Sequence, residues 1–268
     1  MEIAALALSM PLRLLLAAVL GLMAGSFLNV VVYRLPRMGE ANARYNLAWP
    51  PSHCPQCRER LRAWQIVPVL SFLLLRGRCA YCGVAISWRY PLIELLAALA
   101  FVVVAWRAPM PLELCAGWIL SAVLLALAAI DWREQVLPDA LTLPLLWAGL
   151  LLNPFLARVP LYEAVTGAAA GYAVLWLVYW GFRLATGREG LGYGDFKLLA
   201  ALGAWLGWHA LPLVILLSSM AGVVVGGLLM VRSQLKLGQP MPFGPFLAVA
   251  GWLAWVWGDA IMSWYWYG

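Results

Sequence analysis

Charge is scarce in this chain, and negative charge scarcest of all. Of 268 residues, 12 are Asp or Glu and 18 are Lys or Arg, together 11%. A soluble domain carries about a quarter charged residues, so the shortage excludes an ordinary globular protein of the aqueous phase. There is no glycine-rich nucleotide loop of the usual kind, no internal repeat and no low-complexity segment. The first apolar run has a lone Arg13 ahead of its core and no small-residue cleavage pattern, and its core outlasts that of a typical secretory signal. It reads as a retained anchor.

What the chain has instead is apolar length. Hydrophobic residues make up 65% of it, with a mean hydropathy of +0.85. The 16 Trp and 10 Tyr suit a membrane–water interface. A spanning helix takes roughly 20 mainly apolar residues, and about eight runs qualify, near 12–33, 91–106, 113–131, 140–157, 162–182, 195–211, 213–231 and 245–266. The sixth is short and begins almost on Asp195. The expected fold class is an all-α polytopic membrane protein of about eight transmembrane helices with one small polar loop module.

The net charge of +6 could suggest a nucleic-acid partner, but its distribution argues against one. Residues 34–89 hold nine Arg against Glu40 and Glu59, a net +7, which leaves the rest of the chain at −1. One basic segment between two spans marks a cytoplasmic loop facing anionic lipid. With residues 34–90 inside and eight spans in alternation, fifteen basic residues fall on the cytoplasmic side and Arg13, Arg107 and Arg158 on the other. Both termini are then expected outside. Three parts follow: 1–33 as a first transmembrane helix, 34–90 as a cytoplasmic module, and 91–268 as a seven-helix membrane domain.

The module carries two CxxC pairs, Cys54/Cys57 and Cys79/Cys82, with twenty-one residues between them. That is the spacing of a four-thiolate zinc site, each knuckle presenting two sulfurs to one tetrahedral ion. Such sites usually hold a small loop together and do no chemistry, and a core this small gains the stability it lacks from a metal. The competing use is redox work, as in membrane thiol oxidoreductases; a cytoplasmic position argues against stable disulfides. Cys115 is expected to be a small packing residue of a span, and His53 a loop residue.

Two acids stand out against the apolar background. Asp131 ends the third span in "LLALAAIDWREQVLPDAL", and Asp195 opens the sixth in "GYGDFKLL". The assigned topology puts both, sixty-four residues apart, at the cytoplasmic face. Two carboxyl groups close together share one proton, so the ionised member can take a proton from water while the other donates to a peptide carbonyl. Gly190, Gly192 and Gly194 would admit an extended peptide beside them. The plainer reading is capping: Asp139 after Pro138 looks like an N-cap, and Asp195 could act likewise. Asp131 resists it, because an acid at a helix C-terminus opposes the macrodipole. A third reading makes the acids proton-coupling groups of a transporter. Glu94 either pairs with Arg89 or faces a polar cavity, and "QPMPFGPFLAVAG" either shapes a groove or simply ends a loop.

These motifs carry a resemblance. "GYGDFKLL" resembles the GxGD signature of intramembrane aspartyl proteases. "GSFLNVVVYRLP", "CPQC", "RGRCAYC", "RYPLIELL", "LPDALTLPLLW", "GYGDFKLLAALGAWLG" and "PFGPFLAVAGW", in order from about residue 21 to 259, together resemble type IV prepilin peptidases. The resemblance implies a bacterial inner-membrane enzyme of two activities. One cleaves the basic leader of type IV prepilins or type II secretion pseudopilins after a glycine, at the cytoplasmic face. The other N-methylates the new terminus from S-adenosylmethionine. It implies Asp131 and Asp195 as the catalytic pair, and Cys54, Cys57, Cys79 and Cys82 as the zinc ligands of a module linked to methyl transfer, with 91–268 as the peptidase domain. Peptide substrates and membrane lipid are the implied partners. Gln65 stands where relatives commonly have asparagine. The methyl-donor residues stay unassigned, the "GSFLN" turn with Asn29, the cysteine loop and Glu94 being candidate neighbours. Because the inner face is basic, leader recognition falls to Glu134, Asp139 or Glu189, or to lipid.

Overall fold

The computed structural model describes residues 9–38, 45–188, 190–232 and 241–267. Among them all regular structure is helical, with no strand and only two isolated bridges, His53–Arg60 and Arg78–Ala85. The helices are α1 (Met10–Arg34), α2 (Leu70–Leu74), α3 (Arg89–Arg107), α4 (Pro111–Glu134), α5 (Asp139–Leu156), α6 (Leu161–Thr186), α7 (Tyr193–Leu206), α8 (Leu211–Val231) and α9 (Gly244–Tyr267). Each of the eight apolar runs is a helix. Six helical stretches, those built on α1, α3, α4, α5, α6 and α8, are long and apolar enough to cross a membrane. This is a multi-pass helical membrane protein. α7, with 14 residues, reaches only about 21 Å at 1.5 Å per residue, short of a bilayer core of about 30 Å.

The chain forms two compact units, 1–126 and 127–268. In the first, α1 lies against α3 through the spacing "GLMAG". A Cβ on Gly21 would come within 2.6 Å of the Ala98 Cα, and one on Gly25 equally close to the Cα of Glu94. Small residues four apart let two backbones meet where lipid supplies no hydrophobic drive between helices. The residues 25–29 expected to turn are thus mid-helix, and Asn29 donates to the Tyr90 carbonyl at 3.1 Å. Ala17, Phe101 and Ala105 form the core here, with Trp118 of α4 stacked on Phe101.

In the second unit α7 is the centre. Phe196 and Leu198 through Trp205 are all buried, as an all-round apolar helix must be if it does not face lipid. Gly167 and Gly171 of α6 press on the backbone of Gly203 and Leu199. Two buried polar groups that α7 turns to α5 are satisfied. The Trp205 indole donates to the Leu145 carbonyl at 2.8 Å, and the Asn153 amide donates to the Ala204 carbonyl at 2.7 Å.

Candidate active site

The thiol module builds from two copies of one turn. The Cys54 N–H donates to the Glu59 carbonyl and the Arg58 N–H returns to Cys54; the Cys79 N–H donates to Val84 and the Gly83 N–H returns to Cys79. The turn needs a left-handed residue four after its first cysteine, supplied by Arg58 (φ 58°) and Gly83 (φ 72°). All four sulfurs lie within 4.8 Å of one another, Cys54 and Cys82 at 3.9 Å. A tetrahedral ion with Zn–S bonds of about 2.3 Å sets its ligands about 3.8 Å apart, so the arrangement fits zinc. Backbone N–H groups of Cys82 and Tyr81 pull the Cys79 thiol down to about 7. At Cys57 the Glu59 N–H also pulls down, but desolvation and hydrogen bonds shared with the other three sulfurs outweigh it and hold that thiol up at about 11. Zinc binding must therefore expel protons, and affinity weakens as pH falls. Cys115, expected to pack, is instead exposed on α4, where lipid accepts a thiol as readily as a core does.

Gln65 and Glu94 tie this module down. Buried Gln65 accepts the Arg62 N–H at 2.7 Å and the Tyr81 hydroxyl at 3.4 Å. Glu94 is buried on α3, and its carboxylate accepts the Val69 N–H at 2.7 Å, at the left-handed residue (φ 58°) that starts α2.

Asp131 and Asp195 lie in the second unit, both buried at 5% and 6% exposure. Gln135, at φ 53°, stops α4 one turn after Asp131, its N–H returning to the Asp131 carbonyl. The Asp131 side chain crosses to the first residue of α9, accepting the Gly244 N–H at 3.0 Å. The segment Pro242–Phe246, left open by sequence reasoning, is thus the support of this carboxylate. Asp195 sits in the first turn of α7 and reaches back to accept the Gly192 N–H at 3.1 Å. It is the third residue of the helix and not its N-cap. The aromatic set Tyr179, Tyr193 and Phe196 fixes that turn, with centroids 5.3–5.7 Å apart. Leu137 lies against both Gly194 and Gly244, so the turns that carry the two acids are neighbours.

Two of the three glycines make room for this chain's own residues. A Cβ on Gly194 would sit 2.7 Å from the Leu137 Cβ, and one on Gly190 would sit 2.9 Å from the Phe182 ring. At Gly192 a Cβ would meet only the Asp195 carboxylate at 3.5 Å and the Gly194 nitrogen at 4.0 Å. Leu137 also bounds Gly244, whose Cβ would meet the Asp131 carboxylate at 2.7 Å. Asp139, expected to cap α5, follows the N-cap Pro138 and instead holds the Lys197 ammonium at 2.6 and 2.8 Å. Lys197, two residues beyond Asp195, was the signal that could have revealed this pair; Leu137 had none. Glu189 and Lys236 lie outside the described residues.

A multi-pass helical bundle with two buried acids at helix ends and a four-thiol module that fits a metal ion is the architecture of a membrane-embedded enzyme. Residues 19–108 match the bacterial peptidase A24 N-terminal domain, and residues 118–227 match the type IV leader peptidase family. Relatives named prepilin leader peptidase/N-methyltransferase include one from Pseudomonas putida, 54% identical with 92% of each chain covered. Another, from Aeromonas salmonicida (strain A449), is 53% identical over 91% of this chain and 90% of its own. A third, from Dickeya chrysanthemi, is 51% identical over 94% and 95%. No solved structure matches. The chain belongs to the type IV leader peptidase family.

Proposed function

We propose that this protein removes the leader peptide of type IV prepilins or pseudopilins at the cytoplasmic face of a bacterial inner membrane and N-methylates the residue it uncovers. The observation that carries the peptidase half is two buried aspartates, Asp131 and Asp195, each anchored to a glycine N–H at the start of a helix, with Leu137 packed against both glycine turns that flank them. The ionised member of the pair takes a proton from water, and the resulting hydroxide adds to the scissile carbonyl. The protonated member donates to the carbonyl oxygen as charge develops there. Collapse of the tetrahedral species breaks the C–N bond, the departing amine taking the proton first removed from water. No covalent enzyme intermediate is needed.

The names of the three relatives support the methyl-transfer half, for which S-adenosylmethionine is the donor. When bound, it supplies an electrophilic methyl group to the new amine. Zinc at Cys54, Cys57, Cys79 and Cys82 holds the 34–90 module in shape. The fifteen-to-three basic bias supports a topology with that module and both acids inside and both termini outside. A prepilin presents its scissile bond at this interface, basic leader in the cytoplasm and apolar helix in the bilayer.

The test is incubation of the purified protein with a prepilin, with and without methyl donor, read by mass spectrometry. Wild type yields the shortened and then the methylated product. Asp131→Asn and Asp195→Asn each lower cleavage by about 10²–10⁴-fold while the protein inserts normally. Near-normal processing by either variant overturns the assignment.

A further inference from the structure

The module between α1 and α3 turns its apolar residues outward. In the five-residue α2, Phe72 points in at 8% exposure, while Leu70, Leu73 and Leu74 are 53%, 61% and 65% exposed. Positions i, i+3 and i+4 share one helix face, so three leucines form one bare patch. Trp88, at 74% exposure, stands beside them, its ring 4.7 Å from that of Phe72. Leu73 and Trp88 border a cleft of about 400 Å³ that Arg76 and Arg78 also line. Between residues 45 and 88 the sequence has five arginines and one acid.

A solvated module would bury such a patch, and contiguous bare apolar surface marks a partner. The position of the patch says which one. Trp88 directly precedes Arg89, the first residue of the candidate span Arg89–Arg107. Because α2 packs on Trp88 through Phe72, its leucines sit at the depth where that span enters the bilayer. Leucine and tryptophan with arginine alongside is the make-up of an element lying in the interface plane, and arginines complement anionic headgroups. A basic leader peptide is repelled by the same charges.

We propose that α2 and Trp88 form a membrane foot: Leu70, Leu73, Leu74 and Trp88 enter the headgroup–acyl boundary of the leaflet on the module's own side, and Arg76 and Arg78 bind anionic phospholipid headgroups there. The foot fixes the height of the thiol module above the bilayer and is independent of which reaction the protein performs.

The test uses the full-length protein in vesicles of phosphatidylcholine alone or mixed one to one with phosphatidylglycerol. Each contains a phospholipid bearing a diazirine near its headgroup. After photolysis and digestion, mass spectrometry maps the lipid adducts. Adducts are expected at 70–74 and 88 in the mixed vesicles, beside those at the exposed span residues Leu95 and Leu99, which report that labelling worked. Arg76→Gln and Arg78→Gln each lower the module's adducts about fivefold. Leu73→Asp with Leu74→Asp abolishes them with zinc retained; if that variant loses zinc, the arginine variants carry the test. Adducts at Leu95 and Leu99 but none at 70–74 or 88 overturn the proposal. So does equal labelling without phosphatidylglycerol, or loss of the 70–74 adducts when a prepilin is added while those at Leu95 and Leu99 persist.

Discussion

Asp131 and Asp195 share a mode of support: one carboxylate oxygen of each is held by the main-chain N–H of a glycine at the start of a helix. Such a bond fixes the side chain without a cationic partner. At Gly244 the arrangement tolerates no side chain, since a methyl group would press on the Asp131 carboxylate at 2.7 Å. Gly244→Ala is therefore expected to displace that carboxylate and lower kcat for prepilin cleavage by about 10²-fold, with KM and detergent stability little changed. The Asp139–Lys197 pair is different in kind. Its side chains are 55% and 31% exposed, and solvent-facing pairs contribute about 0–1 kcal/mol. Lys197→Met should thus shift stability by no more than that, measured by thermal unfolding in detergent. Sequence reasoning selected both buried acids because charge is rare in apolar runs. It could not find the Gly244 contact, which joins residues 113 apart in the chain.

At the scale of elements, α7 departs most from what hydropathy suggests. Its run of apolar residues looked like a short span, but hydropathy cannot tell a helix facing lipid from one buried among helices. The burial of Phe196 and Leu198–Trp205 decides in favour of the second. Its fit against α6 depends on glycine, for a Cβ at Gly203 would meet the Gly167 backbone inside any normal contact distance. Gly203→Ala must push α6 and α7 apart and is expected to cost roughly 1–3 kcal/mol, read as a lowered Tm. In the thiol module the reverse holds at Gly83, where a Cβ meets nothing within 4 Å. The cost of Gly83→Ala is then that of the left-handed backbone alone, about 1–2 kcal/mol, visible as roughly tenfold weaker zinc binding in a chelator competition. The CxxC spacing made this cluster legible in advance, because ligand spacing is a local property of the chain. The helix running through residues 25–29, mistaken for a turn, was not legible: a glycine needed for close helix approach looks the same in sequence as one needed for a bend.

At the scale of the whole molecule, the two matched family segments, 19–108 and 118–227, fall largely within the two compact units, whose boundary cuts α4 after Ala126. The four thiols belong to the first unit alone. Stripping zinc with a chelator should raise hydrogen exchange across residues 50–88, which have few other constraints, and leave α7 protected as before. Equal loss of protection in both regions would mean that the metal supports the entire fold. The helical, multi-pass architecture was legible from composition and run length. The pairing of helices was not, because it rests on glycines and small side chains whose partners lie far away in sequence.

Leu137 has a further bearing. This one side chain fills the space left by Gly194 beside Asp195 and also bounds Gly244 beside Asp131, so it acts as a yoke across both acids. Displacing the start of α9 would tug on the GxGD turn through that yoke, so the two carboxylates would change posture in concert.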